Sequence, residues 1–222
     1  MPDLEARENP YNVRQASRIY FLPNLMTAGN LFCGFVAVIK CIQARLETIA
    51  PGTYTHSAAE LYTQAVWFIL AAVIFDSLDG RLARLGGRES LFGAEFDSLA
   101  DVISFGVAPA ALGFAAGMQA ALDIPVLLYF VACGVSRLAR FNVTAEALSA
   151  GGDKVKYFEG TPIPSSVLLA AVLAIAAATG RHGDTLWLGV VHLGPFGFHP
   201  MVLMFAVSGS LMVSKTLRIP KF

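Results

Sequence analysis

Four aspartates are set apart by their spacing. Asp76 and Asp79 are three residues apart and Asp97 and Asp101 are four apart, with Gly80, Ala83, Arg84 and Gly93 between them. On a helix, residues three or four apart share a face, so each pair presents two carboxylates in one direction. A helix–loop–helix turn through Gly86-Gly87 can bring the pairs together, and the small residues at 80, 83 and 93 permit close approach by backbone or ligand. Four converging carboxylates repel one another and are costly to desolvate, so they need cations. An all-oxygen donor set suits hard divalent ions such as Mg²⁺. Two such ions roughly 3.5–4 Å apart clamp the attacking and leaving oxygens in phosphoryl transfer. A second account makes the same acids solvated groups at a helix end, paired with Arg81, Arg84 and Arg88. The shared faces and the small residues favour the metal-centre account. Glu95 falls outside the pattern and reads as a surface charge.

The elements that must carry these acids are apolar. The chain has 222 residues, 55% hydrophobic and only 14% charged, with a mean hydropathy of +0.60. A soluble domain carries about a quarter charged residues. An all-α integral membrane protein is therefore expected. Stretches near the 20 or so residues a crossing needs predict six transmembrane helices at approximately 22–44, 61–82, 96–118, 124–138, 164–180 and 200–217, the fourth and fifth being short by that rule. The residues through Ser17 are polar, which argues against a cleaved signal peptide. Net charge is zero and gives no pointer to nucleic acid or an acidic partner. Cys33, Cys41 and Cys133 lie in apolar runs without paired spacing and read as buried hydrophobes.

Charge sets the orientation. With a cytoplasmic N-terminus, the cytoplasmic segments hold Arg7, Arg14, Arg18, Arg81, Arg84, Arg88, Arg137, Arg140, Lys154, Lys156, Lys215, Arg218 and Lys221. The outer loops hold only Arg181, with Lys40 and Arg45 near the outer end of the first span. This asymmetry follows the positive-inside rule, requires an even number of spans and places both termini in the cytoplasm. The acids then open on the cytoplasmic side of the cell (inner) membrane. Residues 10–20 mix Arg14 and Arg18 with Tyr11, Val13, Ile19 and Tyr20, and fit a short interfacial helix or an ordinary charged flank equally well. The polar stretch 47–60 reads as a plain exterior connection, and 144–157 as a linker or a cover over the site.

The acidic segment resembles the signature of the CDP-alcohol phosphotransferase family, DxxDGxxARx8GxxxDxxxD, at every fixed position. That resemblance implies one membrane domain over residues 1–222, a six-helix bundle, a homodimer, and transfer of a phosphatidyl or related group from a CDP-linked donor to an alcohol. It implies that Asp76, Asp79 and Asp97 bind two divalent cations, Mg²⁺ or Mn²⁺. Asp101 would complete the metal site and act as general base. Gly80, Ala83, Arg84 and Gly93 would border the CDP portion, with Arg84 answering phosphate charge.

Two further segments bear on the alcohol. The first span opens with Asn24, Thr27 and Asn30 at i, i+3 and i+6, a stripe that borders the nucleotide or packs helices. The fourth ends in Arg137, Arg140, Phe141 and Asn142, and is followed by Gly160, Pro162, Pro164, Ser165 and Ser166. Together these look like the bacterial and archaeal membrane-bound phosphatidylserine synthases of the same family. Such a relation implies CDP-diacylglycerol as donor and L-serine as acceptor. An arginine fork matches the serine carboxylate, so Arg137 or Arg140 is expected to bind it, with Phe141 and Asn142 shaping the pocket; positive-inside anchoring is the competing account of both arginines. Other acceptors within the family (glycerol 3-phosphate, choline or an inositol phosphate) stay open. From another class, a cation transporter would need acids continuing across the bilayer, and the outer halves of the spans show almost none. His56, His182, His192 and His199 lack metal-ligand spacing, Asn142-Val-Thr144 is a chance sequon on the cytoplasmic side, and Gly113-x3-Gly117 is a weak packing signal.

Overall fold

The computed structural model describes residues 21–85, 91–149, 157–214, 216 and 218–220. The expected interfacial helix at 10–20, the Gly86-Gly87 break and residues 150–156 lie outside the described residues. Long helices dominate: α1 (Phe21–Ile49), α2 (Ala58–Leu85), α3 (Leu91–Asp101), α4 (Ala108–Ala116), α5 (Asp123–Ser149), α6 (Val167–Ala178) and α7 (Leu203–Val213). Four apolar helical stretches are long enough to cross a membrane, at Leu22–Ile49, Ala58–Leu82, Phe92–Ala116 and Asp123–Thr144, and two shorter ones lie at Ile163–Ala178 and Pro200–Val213. The chain is a multi-pass membrane protein.

The helices differ from their expected limits for local reasons. Residues 45–49 continue α1 because Glu47 is buried and its carboxylate accepts the N–H groups of Gly52 (2.6 Å) and Tyr54 (2.8 Å). The expected plain connection is thus a folded turn. Ser57 and Glu60 then form a reciprocal capping box, each side chain accepting the other's N–H, and start α2. The third span is one continuous helical run with a π-helical stretch at Val102–Val107 between α3 and α4, where the Ala108 N–H reaches the Ile103 carbonyl. Pro109 follows at once and has no N–H for an α-helical bond, a setting that favours such a bulge. The fourth helix runs eleven residues past its expected end at 138, through Ser149. The sixth stops at Val213, and the strand Arg218–Pro220 pairs antiparallel with Tyr157–Glu159. A hairpin of Val191–Leu193 with Phe196–Phe198 lies between α6 and α7.

Packing in lipid rests on close van der Waals contact, since apolar surface gains nothing by leaving an equally apolar solvent. The main helix pair, α1 with α2, follows that logic. Cys33, Ala37, Cys41 and Ala44 form a buried small-residue stripe on α1, facing a buried stripe of Ala58, Leu61, Tyr62, Ala65, Ile69 and Ala72 on α2. One position admits only glycine: a Cβ on Gly34 would lie 2.7 Å from the Cα of Ser104, so α1 rests directly on the π-helical backbone. The outward faces stay apolar, with Phe32, Phe35, Trp67, Ile74, Leu128, Leu168 and Val207 each more than half exposed. Apolar surface inside and outside together is the mark of helices bathed in lipid.

Candidate metal and phosphotransfer site

At one end of the bundle α1, α2, α3 and α5 meet. Asp76, Asp97 and Asp101 each offer a carboxylate oxygen, and those oxygens lie within 4.8 Å of one another. Asp79 adds its charge beside them, since Asp76, Asp97 and Asp79 all act electrostatically on Asp101. Asp101 and Asp79 are buried, and Asp76 and Asp97 are half-buried. Like charges this close in a poorly solvated setting cost free energy without compensation. Hard divalent cations supply that compensation, and an all-carboxylate donor set fits them.

α1 reaches two of the aspartates directly. The Thr27 hydroxyl donates to Asp79 Oδ2 at 2.9 Å, with the Pro23 carbonyl a second acceptor at 3.2 Å. One turn on, Asn30 Nδ2 donates to Asp101 Oδ1 at 3.0 Å. Thr27 and Asn30, in the stripe expected to border a nucleotide or to pack helices, thus contact the acids themselves. Asn24 at its head is half-buried. On α2, a Cβ built at Gly80 meets nothing within 4 Å, which leaves open space beside Asp79. Ala83 and Arg84 continue the helix backbone, with their side chains outside the described residues, and Gly93 lies half-buried in the first turns of α3.

The two arginines of α5 differ in role. Arg140 donates to the carbonyls of Val213 (3.1 Å) and Met212 (3.4 Å) at the C-terminus of α7. Arg137 has a buried Nε with no hydrogen-bond partner among the described residues, and Asp101 and Arg140 are the charges that act on it. Asn142 exchanges hydrogen bonds with Ser98, next to Asp97, at 3.0 and 3.3 Å, and Phe141 is about half exposed. Arg137 therefore lies within electrostatic reach of Asp101, Asn142 ties α5 to α3, and Arg140 braces α7.

The sequence reading passed over a buried acid outside the cluster. Asp123 is fully buried and accepts three hydrogen bonds, from the Ala120 N–H (2.9 Å), the His199 N–H (2.8 Å) and the His199 ring Nδ1 (2.6 Å). Its sequence signal is an acidic residue just before Ile124-Pro125 at a helix start, a common capping arrangement. It sits at the opposite end of the bundle from the aspartate cluster: α1 carries Thr27 and Asn30 at the cluster and runs roughly 25 Å to Arg45, which donates to Gln119 beside this turn at 2.8 Å.

The chain matches the CDP-alcohol phosphatidyltransferase family over residues 20–209. It belongs to that family. Among its relatives, the CDP-diacylglycerol–serine O-phosphatidyltransferase of Saccharomyces cerevisiae is 42% identical over 204 residues, covering 90% of this chain and 70% of the yeast protein. The enzyme of the same name from Helicobacter pylori strain 26695 is 35% identical over 209 residues, covering 92% of this chain and 73% of its own length. The archaetidylserine synthase of Methanothermobacter thermautotrophicus is 38% identical over 156 residues, covering 69% of this chain and 57% of its own. Asp76, Asp97 and Asp101 of this phosphatidyltransferase all lie within the matched region.

Proposed function

We propose that this enzyme transfers the phosphatidyl group of CDP-diacylglycerol to the hydroxyl of L-serine, forming phosphatidylserine and releasing CMP. The observation that carries the reading is the gathering of Asp76, Asp97 and Asp101 within 4.8 Å, in a chain 42% identical over nine tenths of its length to a serine phosphatidyltransferase. Asp76, Asp79, Asp97 and Asp101 would hold two divalent cations, Mg²⁺ or Mn²⁺. Bound there, the ions would neutralise charge on the donor pyrophosphate and the departing CMP.

The chain's own residues do the rest. The serine oxygen forms a bond to the phosphorus that bears diacylglycerol, the bond from that phosphorus to CMP breaks, and the hydroxyl proton passes to the Asp101 carboxylate. Thr27 and Asn30 hold the acids from the α1 side. The open space at Gly80 admits the nucleotide alongside Asn24, Ala83, Arg84 and Gly93. Arg137 receives the serine carboxylate on its fork, supported by Phe141 and Asn142; its buried Nε has no hydrogen-bond partner among the described residues, and Asp101 acts on it electrostatically. Arg140 is already committed to carbonyls of α7 and takes a bracing role.

The protein forms one membrane domain that crosses the bilayer six times, the two shorter helices included, and works as a homodimer. Both termini and the acid cluster face the cytoplasm of the cell membrane, where serine and CMP are soluble. Turnover by purified protein tests the reading. With CDP-diacylglycerol and Mn²⁺ or Mg²⁺, CMP should be released on addition of L-serine and only weakly with glycerol 3-phosphate, choline or an inositol phosphate. Release with glycerol 3-phosphate but not serine overturns the acceptor assignment, and cation flux in liposomes without CDP-lipid turnover overturns the enzyme.

A further inference from the structure

Asn30 is fully buried, yet α1 commits it to two contacts across the same helix crossing. Its Nδ2 donates to Asp101 Oδ1 at 3.0 Å, and its backbone carbonyl accepts the Ser104 hydroxyl at 3.0 Å. Ser104 stands three residues beyond Asp101, in the π-helical stretch, and presses on Gly34 one turn along α1. The two helices are therefore pinned at two successive levels, with Asp101 at one and the Gly34–Ser104 contact at the other. The π-helical turn starts immediately after Asp101, and such turns shift the phase of the side chains that follow. The amide meets one carboxylate oxygen of Asp101 and leaves the second to other partners. Its own Oδ1 has no hydrogen-bond partner among the described residues. A buried amide left half-satisfied is a cost that packing alone does not require.

We infer that Asn30 is a positioning residue for Asp101: it fixes the carboxylate by one oxygen so that the other faces the Asp76–Asp97 side of the site. The inference rests on the reading of the acid cluster as a metal centre, and it does not depend on the acceptor. Partners that orient a metal-ligating group change affinity or activity about 10- to 100-fold when removed.

The test uses full-length protein in detergent and Mn²⁺ binding followed by electron paramagnetic resonance, alongside turnover. Asn30→Leu, close in size but without the donor, should weaken Mn²⁺ binding and lower kcat, each by about 10- to 100-fold, with little change in KM for CDP-diacylglycerol. Asn30→Ala carries the same expectation should leucine fail to fold. In an Asp101→Asn background, Asn30→Leu should have little further effect on Mn²⁺ binding, because the group it acts through is already altered. Ser104→Ala, which loosens the crossing without touching Asp101, should lower the unfolding temperature and keep the Mn²⁺ midpoint within about twofold. An unchanged Mn²⁺ midpoint in both Asn30 variants, or fully additive losses with Asp101→Asn, overturns the inference. Wild-type protein that binds Mn²⁺ but ignores serine would instead overturn the acceptor assignment and leave this test intact.

Discussion

Among the described residues, two of the buried acidic sites lie at opposite ends of this bundle and are built on opposite principles. Asp123 is surrounded by donors, with two backbone N–H groups and a histidine ring directed at its two oxygens. Asp101 is surrounded by other acids, with Asn30 its donor from α1. The first carboxylate is compensated by the fold, which is what an anchor between the start of α5 and the start of the last helical segment requires. The second group, four acids with Arg137 the protein cation in electrostatic reach of Asp101, is fully compensated only if further cationic charge arrives. Burial of charge is thus not itself a sign of function; the decisive difference is whether the protein supplies the partner.

The strongest way to break this comparison is to neutralise one acid at each end. Asp101→Asn should reduce turnover by about 10²–10⁴-fold, the range a general base contributes, while CDP-diacylglycerol binding is largely kept. Asp76→Asn and Asp97→Asn should lose Mn²⁺ affinity as well. Near-normal turnover in Asp101→Asn would remove it as the proton acceptor. The next effect concerns the acceptor. Arg137→Ala should raise the KM for serine by about 10- to 100-fold, as expected for losing a charged hydrogen bond of about 1.5–3 kcal/mol, with the KM for the lipid donor nearly unchanged. Equal shifts in both KM values would mean that Arg137 serves the general field of the site and not serine.

At the other end the effect should be on stability alone. Asp123→Ala strands two backbone donors and the His199 ring in the interior, at about 1–3 kcal/mol for each unsatisfied group. Thermal unfolding in detergent should show a clear loss, while kcat per folded molecule stays near wild type. A variant that keeps its unfolding temperature but loses turnover would make Asp123 part of the chemistry and erase the distinction.

The division between the two ends explains what could be read from the sequence. The acid motif and the long apolar helices were legible because both depend on spacing along one chain: three- and four-residue intervals for the aspartates, runs of about 20 residues for the spans. Partnership across helices has no such signature. Thr27 and Asn30 sit at helical spacing whether they meet a nucleotide, another helix or the aspartates, and only the packing of α1 on α2 and α3 decides. Arg137 and Arg140 share a charge and a helix; what separates them is the end of α7, some seventy residues away, to whose carbonyls Arg140 donates. The fourth helix outran its hydropathy because its last turns are polar yet still helical, with Ser98 tied to Asn142. The π-helical turn left only Pro109 as a trace.

Arg140 gives the smallest and most discriminating effect. Its two guanidinium contacts fall on Val213 and Met212, carbonyls that the last turn of α7 cannot satisfy internally. The neighbouring Leu211 carbonyl takes the Thr161 N–H at 3.2 Å, and a Cβ at Gly160, whose φ is +76°, would meet the Met212 carbonyl oxygen. The arginine is therefore one of several groups closing that helix end, and a cation is favoured there by the helix dipole. Removing it should cost about 1–2 kcal/mol, one charge-assisted contact partly replaced by water. Arg140→Ala should lower the unfolding temperature by a few degrees and move the serine KM less than Arg137→Ala does. The opposite order, a larger rise in serine KM for Arg140→Ala with stability unchanged, would return Arg140 to the acceptor pocket and make its contacts with α7 incidental.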